Sequence, residues 1–180
     1  MHTFSRILAG ALLLAAPAAF AQSATATASS VPASARIYVP ISVSLTNGGL
    51  SFGDIFASTT GGDVTLDPQN NTRTSTGPTP ATTGTVSSAT FKVTGKRNAT
   101  YAITLPSNGS VTLTGAGTAM PVNNFTASVE GAAATSNATG LLPNVANAAQ
   151  IFAVGGTLTL GANQTDGDYT GTFNVTVAYN

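Results

Sequence analysis

The last twelve residues of this chain alternate strictly between two kinds of side chain. In residues 169–180 (YTGTFNVTVAYN), the odd-numbered positions hold aromatic and branched apolar residues and one glycine. The even-numbered positions hold mainly threonine and asparagine. Successive side chains of a β-strand point to opposite faces, so this period of two predicts a strand with one buried face. The predicted buried face comprises Tyr169, Phe173, Val175, Val177 and Tyr179.

The rest of the sequence favours the same kind of structure. Short segments rich in valine, threonine and aromatic residues recur along the chain, and glycine, proline and asparagine turns separate them. This spacing, without a convincing amphipathic helix, predicts an all-β fold and an antiparallel β-sandwich. Two turn-rich stretches, residues 68–84 and 131–149, are predicted to be loops, the second with at most one helical turn around residues 145–149.

The N-terminus has the layout of a secretory signal peptide, which we place at residues 1–21. Arg6 precedes an apolar run at residues 7–16, and small residues at −3 and −1 predict cleavage between Ala21 and Gln22. The run is far shorter than the roughly 20 residues that cross a bilayer. We therefore expect secretion, and no membrane insertion after cleavage.

Two regions are expected in the mature chain. Residues 22–35 (QSATATASSVPASA) carry few large apolar groups, too few to offset the conformational entropy lost on ordering, so they predict a flexible extension. Residues 36–180 are long enough to bury a core and are expected to form a single β-sandwich domain.

The mature sequence offers little catalytic chemistry. The only histidine of the full chain, His2, lies in the predicted signal peptide, and cysteine is absent. A mature chain without either residue excludes Ser-His-Asp triads, Cys-His pairs and the usual zinc sites. We expect no enzyme, no cofactor and no metal, and the scarcity of cations argues against nucleic-acid binding. A carboxylate pair of the glycosidase type leaves no local trace, so an acidic-dyad hydrolase remains the third hypothesis.

Motifs near both ends of the mature chain resemble two protein families. Gly167, the penultimate Tyr179 and the strand between them are similar to the C-terminal strand of chaperone–usher pilus subunits, and residues 40–47 (PISVSLTN) resemble their opening strand. The LSFG motif at residues 50–53 and the GDYTGTFNVTVAY motif at residues 167–179 also resemble an uncharacterised family of secreted Gram-negative domains. That second likeness extends over nearly all of the mature chain.

The pilus resemblance implies an immunoglobulin-like sandwich that lacks a strand and is completed by strand exchange. The N-terminal extension of a neighbouring subunit would add to the open sheet edge. The implied strand-exchange and chaperone groove comprises Gly167, Tyr169, Phe173, Val175, Val177 and Tyr179. The implied donor comprises Ala24, Ala26, Ala28 and Val31.

This resemblance also implies partners and a location. The protein would be a fimbrial subunit in a homo-polymer of like subunits, delivered by a periplasmic chaperone and an outer-membrane usher. It would reside in the periplasm or on the cell surface of a Gram-negative bacterium.

Two alternatives remain open from the residues themselves. Alanine buries little apolar area, and at about 25 cal/mol per Å² such a donor binds weakly, so the apolar alternation of residues 37–45 is a second candidate donor. The competing hypothesis for the whole protein is a self-contained cell-surface adhesion or binding module.

Overall fold

A computed structural model describes residues 25–180 of the chain. The predicted signal peptide, its cleavage site at Ala21 and Gln22, and Ala24 of the candidate donor lie outside the described residues. The chain divides into two units, Met1–Arg36 and Ile37–Asn180. The described residues of the first unit, which include Ala26, Ala28 and Val31, are exposed and belong to no helix or strand.

The second unit is built from β-strands, and every pair of strands in it is antiparallel. Among the residues described, no helix is long and apolar enough to cross a membrane. In chain order the strands are β1 (Ser42–Leu45), β2 (Ser51–Phe52), β3 (Ile55–Phe56), β4 (Gly62–Asp67), β5 (Thr72–Thr76), β6 (Thr79–Pro80), β7 (Val86–Ser87), β8 (Ala89–Thr94), β9 (Thr100–Thr104), β10 (Val111–Leu113), β11 (Met120–Val129), β12 (Thr139–Leu141), β13 (Ala149–Leu160) and β14 (Thr176–Tyr179).

The larger sheet is organised around β13, its longest strand. It runs in the order β1-β8-β13-β11-β10, and β4 and β5 extend it from β13. Because β11 occupies one edge of β13, the other edge is shared: the first half pairs with β8 and the second half with β4. A second sheet of three strands has the order β12-β9-β14, and two short ribbons pair β2 with β7 and β3 with β6.

Side chains from both main sheets meet in one core. Val93 and Val154 of the larger sheet and Tyr101 and Ile103 of the smaller sheet belong to the same buried cluster. Phe152 is also fully buried and stacks on a second phenylalanine of the same sheet, with ring centroids 5.1 Å apart. These layers confirm the predicted all-β, antiparallel fold and are consistent with a β-sandwich.

The two predicted loops contain strands, so that prediction is wrong in part. Residues 68–84 include β5 and β6, and β5 forms a hairpin with β4. The side chains of β5 are polar on both faces because the strand lies at a sheet edge, so it lacks the apolar alternation that reveals a strand. Residues 131–149 include β12 and, at Ala149, the start of β13, and residues 145–148 form a turn without a helix.

Candidate docking groove

The C-terminal segment, defined as residues 169–180, lies at the edge of the three-stranded sheet. Its side chains are half-buried at the odd positions from 173 to 179 and exposed at the even positions, which confirms the predicted alternation. No residue after Gly167 has a positive φ angle, and burial alternates residue by residue from 173 to 180, as it does in an extended chain. The continuous strand is shorter than predicted, because only β14 pairs with β9. Residues 171–175 belong to no strand, and before them Thr170 forms an isolated bridge with Thr114.

One edge of the C-terminal segment has no strand partner in the described part of the chain. Thr170 exchanges two hydrogen bonds with Thr114, of 2.8 and 2.9 Å, and the N–H of Asn180 donates to the Thr100 carbonyl at 3.2 Å. Alternate residues of an extended chain direct their backbone groups to opposite edges. The even-numbered residues therefore face β9 and Thr114, and the odd-numbered residues face an edge where no other described strand pairs with them.

The first strand of the domain also has an open edge. Within the described residues β1 pairs with β8 alone, and it lies against β14 without pairing to it. Ile41 and Val43, in and just before β1, pack half-buried against the core, as do Val175 and Val177 of the C-terminal segment. Two neighbouring open edges, one from each main sheet, thus flank a strip of core that is only partly covered.

A cavity of about 650 Å³ opens at the start of the C-terminal segment. Gly167 and Tyr169 line it on one side, and Phe52, Leu158 and Leu160 contribute apolar side chains from other strands. A smaller cavity of about 40 Å³ lies further along, beside Phe173. Both cavities are lined by Gly171, so they mark two places along one groove where the core is incompletely filled.

The rim of the larger cavity is acidic. Asp54, Asp166 and Asp168 line it, and no lysine or arginine does. Two further carboxylates support the fold elsewhere: Asp63 accepts a hydrogen bond from Thr159, and Glu130 accepts the backbone N–H of Ile151. The described residues contain no cluster of three or more His, Cys, Asp or Glu side chains suited to a metal ion.

Arg73 braces the cavity wall that β2 and β3 provide. Its guanidinium donates hydrogen bonds to the backbone carbonyls of Phe52, Asp54 and Ala81. The carbonyls of Phe52 and Asp54 belong to a stretch that bends at Gly53, where φ is 66°, and Ala81 follows β6. A side chain from β5, in a region without a predicted strand, therefore shapes the groove.

Tyr169 is held in place at the mouth of the larger cavity. Its hydroxyl donates a hydrogen bond to the Thr165 carbonyl at 2.8 Å and accepts one from the Gln164 side chain at 2.9 Å. Both partners lie in the turn that precedes the C-terminal segment. The ring is thereby fixed as a wall of the cavity.

Tyr179 links the C-terminal segment to the beginning of the domain. Its hydroxyl accepts the backbone N–H of Lys96 at 2.6 Å and donates to the carbonyl of Val39 at 2.9 Å. The ring passes so close to Gly95 that a Cβ atom added there would collide with the hydroxyl oxygen. The penultimate tyrosine, singled out by family resemblance, thus stabilises this domain directly.

Five of the predicted groove residues lie along one side of the C-terminal segment, and Gly167 lies just before it. Gly167 and Tyr169 line the larger cavity and Phe173 lines the smaller one, while the remaining three pack half-buried against the core. The opposite wall and the acidic rim were missed by reasoning from the sequence. Their residues come from distant segments; the LSFG motif and the C-terminal motif contain some of them, but neither motif indicates that these segments meet.

A family model described as a domain of unknown function (DUF4402) matches residues 41–179. The match spans the domain from the residue before β1 to the end of β14, so it includes both open edges. No curated protein and no solved structure matches the chain.

Proposed function

Because the chain belongs to the DUF4402 family of domains of unknown function, we propose a function from the geometry of this domain. It is a non-enzymatic, secreted structural subunit of a fimbria-like surface polymer, assembled by donor-strand addition. The supporting observation is the open edge of the C-terminal segment, where the odd-numbered residues have no strand partner for their backbone groups and their half-buried side chains form an apolar row.

Physical chemistry favours a strand as the occupant of such an edge. A row of unpaired backbone N–H and C=O groups is a template for another extended chain. When a partner covers the half-buried side chains of this row, binding is stabilised by about 25 cal/mol for every Å² of apolar area buried. Strand addition satisfies both requirements at once, through a ladder of backbone hydrogen bonds and apolar side chains on one face.

The proposal includes the partners and location expected of this assembly. Like subunits supply donor segments to one another, and a periplasmic chaperone covers the groove until an outer-membrane usher assembles the polymer. The signal peptide at residues 1–21 directs the chain to the periplasm, and the polymer is displayed on the cell surface.

Hydrogen exchange combined with sedimentation tests this proposal. The mature chain, residues 22–180, is expected to form oligomers in which the odd-numbered amides from 171 to 179 exchange at least about tenfold more slowly than in the monomer. Amides of β13, already paired on both edges, serve as the internal control. A chain that stays monomeric at high concentration would contradict the proposal, and so would odd-numbered amides that are already protected in the monomer.

A second candidate is a self-contained cell-surface adhesion or binding module. It is favoured by a core cluster drawn from the second unit alone and by the cavity of about 650 Å³. Deleting residues 22–35 separates the candidates: a module keeps its thermal midpoint and its ligand binding, whereas a polymer subunit loses its ability to form oligomers.

A further inference from the structure

We infer that the open edge receives residues 31–37 of a second copy of this chain, antiparallel, with Val31 opposite Val175 and Ile37 opposite Tyr169. This inference rests on the proposed function and deepens it by naming the donor, its direction and its register. Residues 31–37 overlap both donor segments considered from the sequence, the extension at residues 22–35 and the apolar alternation at residues 37–45.

The first argument is the position of Pro32, which has no backbone N–H to donate. On the open edge only the odd-numbered residues of the C-terminal segment present hydrogen-bonding groups. Pro32 therefore fits opposite an even-numbered residue such as Asn174, where an antiparallel ladder needs no hydrogen bond. Its neighbours Val31 and Ala33 then face odd-numbered residues and form the ladder.

The second argument is the face on which the donor side chains project. Directly opposite residues of an antiparallel pair project on the same face of the sheet. With Pro32 so placed, Val31, Ala33, Ala35 and Ile37 project onto the half-buried apolar row. The four donor residues that form backbone hydrogen bonds are thus the same four whose side chains bury apolar area. Val31 and Ile37 are 71% and 94% exposed, so both have apolar area to bury.

The cavity and its acidic rim set the register. Opposite Tyr169, the Ile37 side chain reaches the cavity of about 650 Å³. Arg36, on the outer face, then lies diagonal to Asp168, a separation of about 7–8 Å that a long side chain bridges. The rim has three carboxylates and no cation, so it is complementary in charge to this arginine.

The same register makes each contact between copies head-to-tail. Val39 is bonded to Tyr179 of its own domain, so the domain begins at the Tyr179 end of its groove. An antiparallel donor places Ile37 at the Tyr169 end of the neighbouring groove. Each contact therefore joins opposite ends of successive copies, and such a head-to-tail contact generates a filament unless its rotation closes a ring.

Upstream of Val31 the backbone offers a way to extend the apolar face. Ser30 has a φ of 61°, a left-handed conformation. One residue of this kind in a strand shifts the alternation by one position, as in a β-bulge. Ala26 and Ala28, which have the opposite parity to Val31, are thereby brought to the same face.

Engineered disulfides test the register, because the natural chain contains no cysteine. Ser34→Cys with Thr172→Cys places two thiols directly opposite on the outer face, at a Cα separation of about 4.5 Å that suits a disulfide. Oxidised oligomers are expected to give a ladder of cross-linked chains in non-reducing gels. Ser34→Cys with Thr170→Cys, or with Asn174→Cys, is diagonal at about 7–8 Å and is expected to cross-link at least tenfold less.

A charge exchange tests the same contact independently. Arg36→Glu or Asp168→Arg alone is expected to weaken oligomer formation about three- to tenfold, and the two together are expected to restore it. Stronger cross-linking at position 170 or 174, a cross-linked monomer, or no restoration by the double variant overturns the inferred register. If the unsubstituted chain forms no oligomers, the proposed function itself fails.

Discussion

Tyr101 is the largest fully buried side chain of the described residues, and it carries a polar group into the core. Its hydroxyl donates a hydrogen bond to the side-chain oxygen of Gln150 at 2.9 Å. Burial, together with a smaller contribution from the negative charge of Glu130, raises the pKa of Tyr101 to about 12. A residue placed to fill the core thereby makes the stability of the fold depend on pH.

The pKa of Tyr101 predicts a loss of stability in alkali. In the unfolded chain tyrosine ionises near pH 10, so the unfolded state loses its proton first and is favoured as the pH rises. The free energy of unfolding is expected to fall between about pH 10 and 12, by about 2–3 kcal/mol in total. Urea denaturation across this range measures it. In Tyr101→Phe this component should vanish, and an unchanged decline would contradict the assignment.

The contact between Tyr179 and Gly95 predicts coupled effects of two substitutions. Tyr179→Phe removes two hydrogen bonds at the surface and is expected to cost about 1–2 kcal/mol. Gly95→Ala forces the tyrosine away and is expected to cost about 1–3 kcal/mol. The double variant should lose less stability than the sum of the two single losses, because Tyr179→Phe removes the hydroxyl with which the new methyl group of Gly95→Ala collides. Additive losses in urea denaturation would argue against this close contact.

At the scale of elements, the C-terminal segment shows that a sequence pattern predicts side-chain direction but does not predict the hydrogen-bonded partners of a strand. Alternation identified its buried face, because side-chain direction is a local property of an extended chain. The number of hydrogen-bonded partners is not local: residues 171–175 lack the ladder with β9 because β9 ends at Thr104. For the same reason polar β5 was missed, since only its partner β4 makes it a strand.

The wall formed by β2 and β3 is predicted to depend on Arg73. Arg73→Met keeps much of the side-chain length and removes every donor to the three carbonyls, so it is expected to lower the free energy of unfolding by about 2–4 kcal/mol. Hydrogen exchange should accelerate in residues 51–56 more than in β13. Arg97→Met, at an exposed turn, is the matched control and should change stability by less than about 0.5 kcal/mol. Equal effects of the two substitutions would rule out the bracing role.

At the scale of the whole molecule, fold class was predictable and the groove was predictable only in part. Regularly spaced short strands indicate an antiparallel sandwich because few other architectures bury them. One wall of the groove followed from family resemblance and alternation. The cavity, its acidic rim and the open edge of β1 arise only when segments far apart in sequence meet, so the LSFG motif before Asp54 does not by itself predict a cavity.

A synthetic donor provides a prediction for the entire domain. Residues 37–180 contain the whole core cluster, and a peptide of residues 25–37 is expected to raise their thermal midpoint by a few degrees at saturating concentration, since it binds only the folded state. The same peptide with Val31→Asp is the control and should have little effect. Equal stabilisation by both peptides would indicate non-specific binding.

The hydrogen bond between Tyr179 and Val39 has a mechanical consequence in the proposed filament. Tension along the filament enters each domain through the segment before β1, and it leaves through the strand held in that domain's own groove. Antiparallel strands pulled from opposite ends are loaded in shear, so the ladder hydrogen bonds share the force instead of breaking one after another. Tyr179 is hydrogen-bonded to the segment through which tension enters the domain. Part of that tension therefore passes through Tyr179 directly to β14, the last strand, on which the donor of the next subunit pulls.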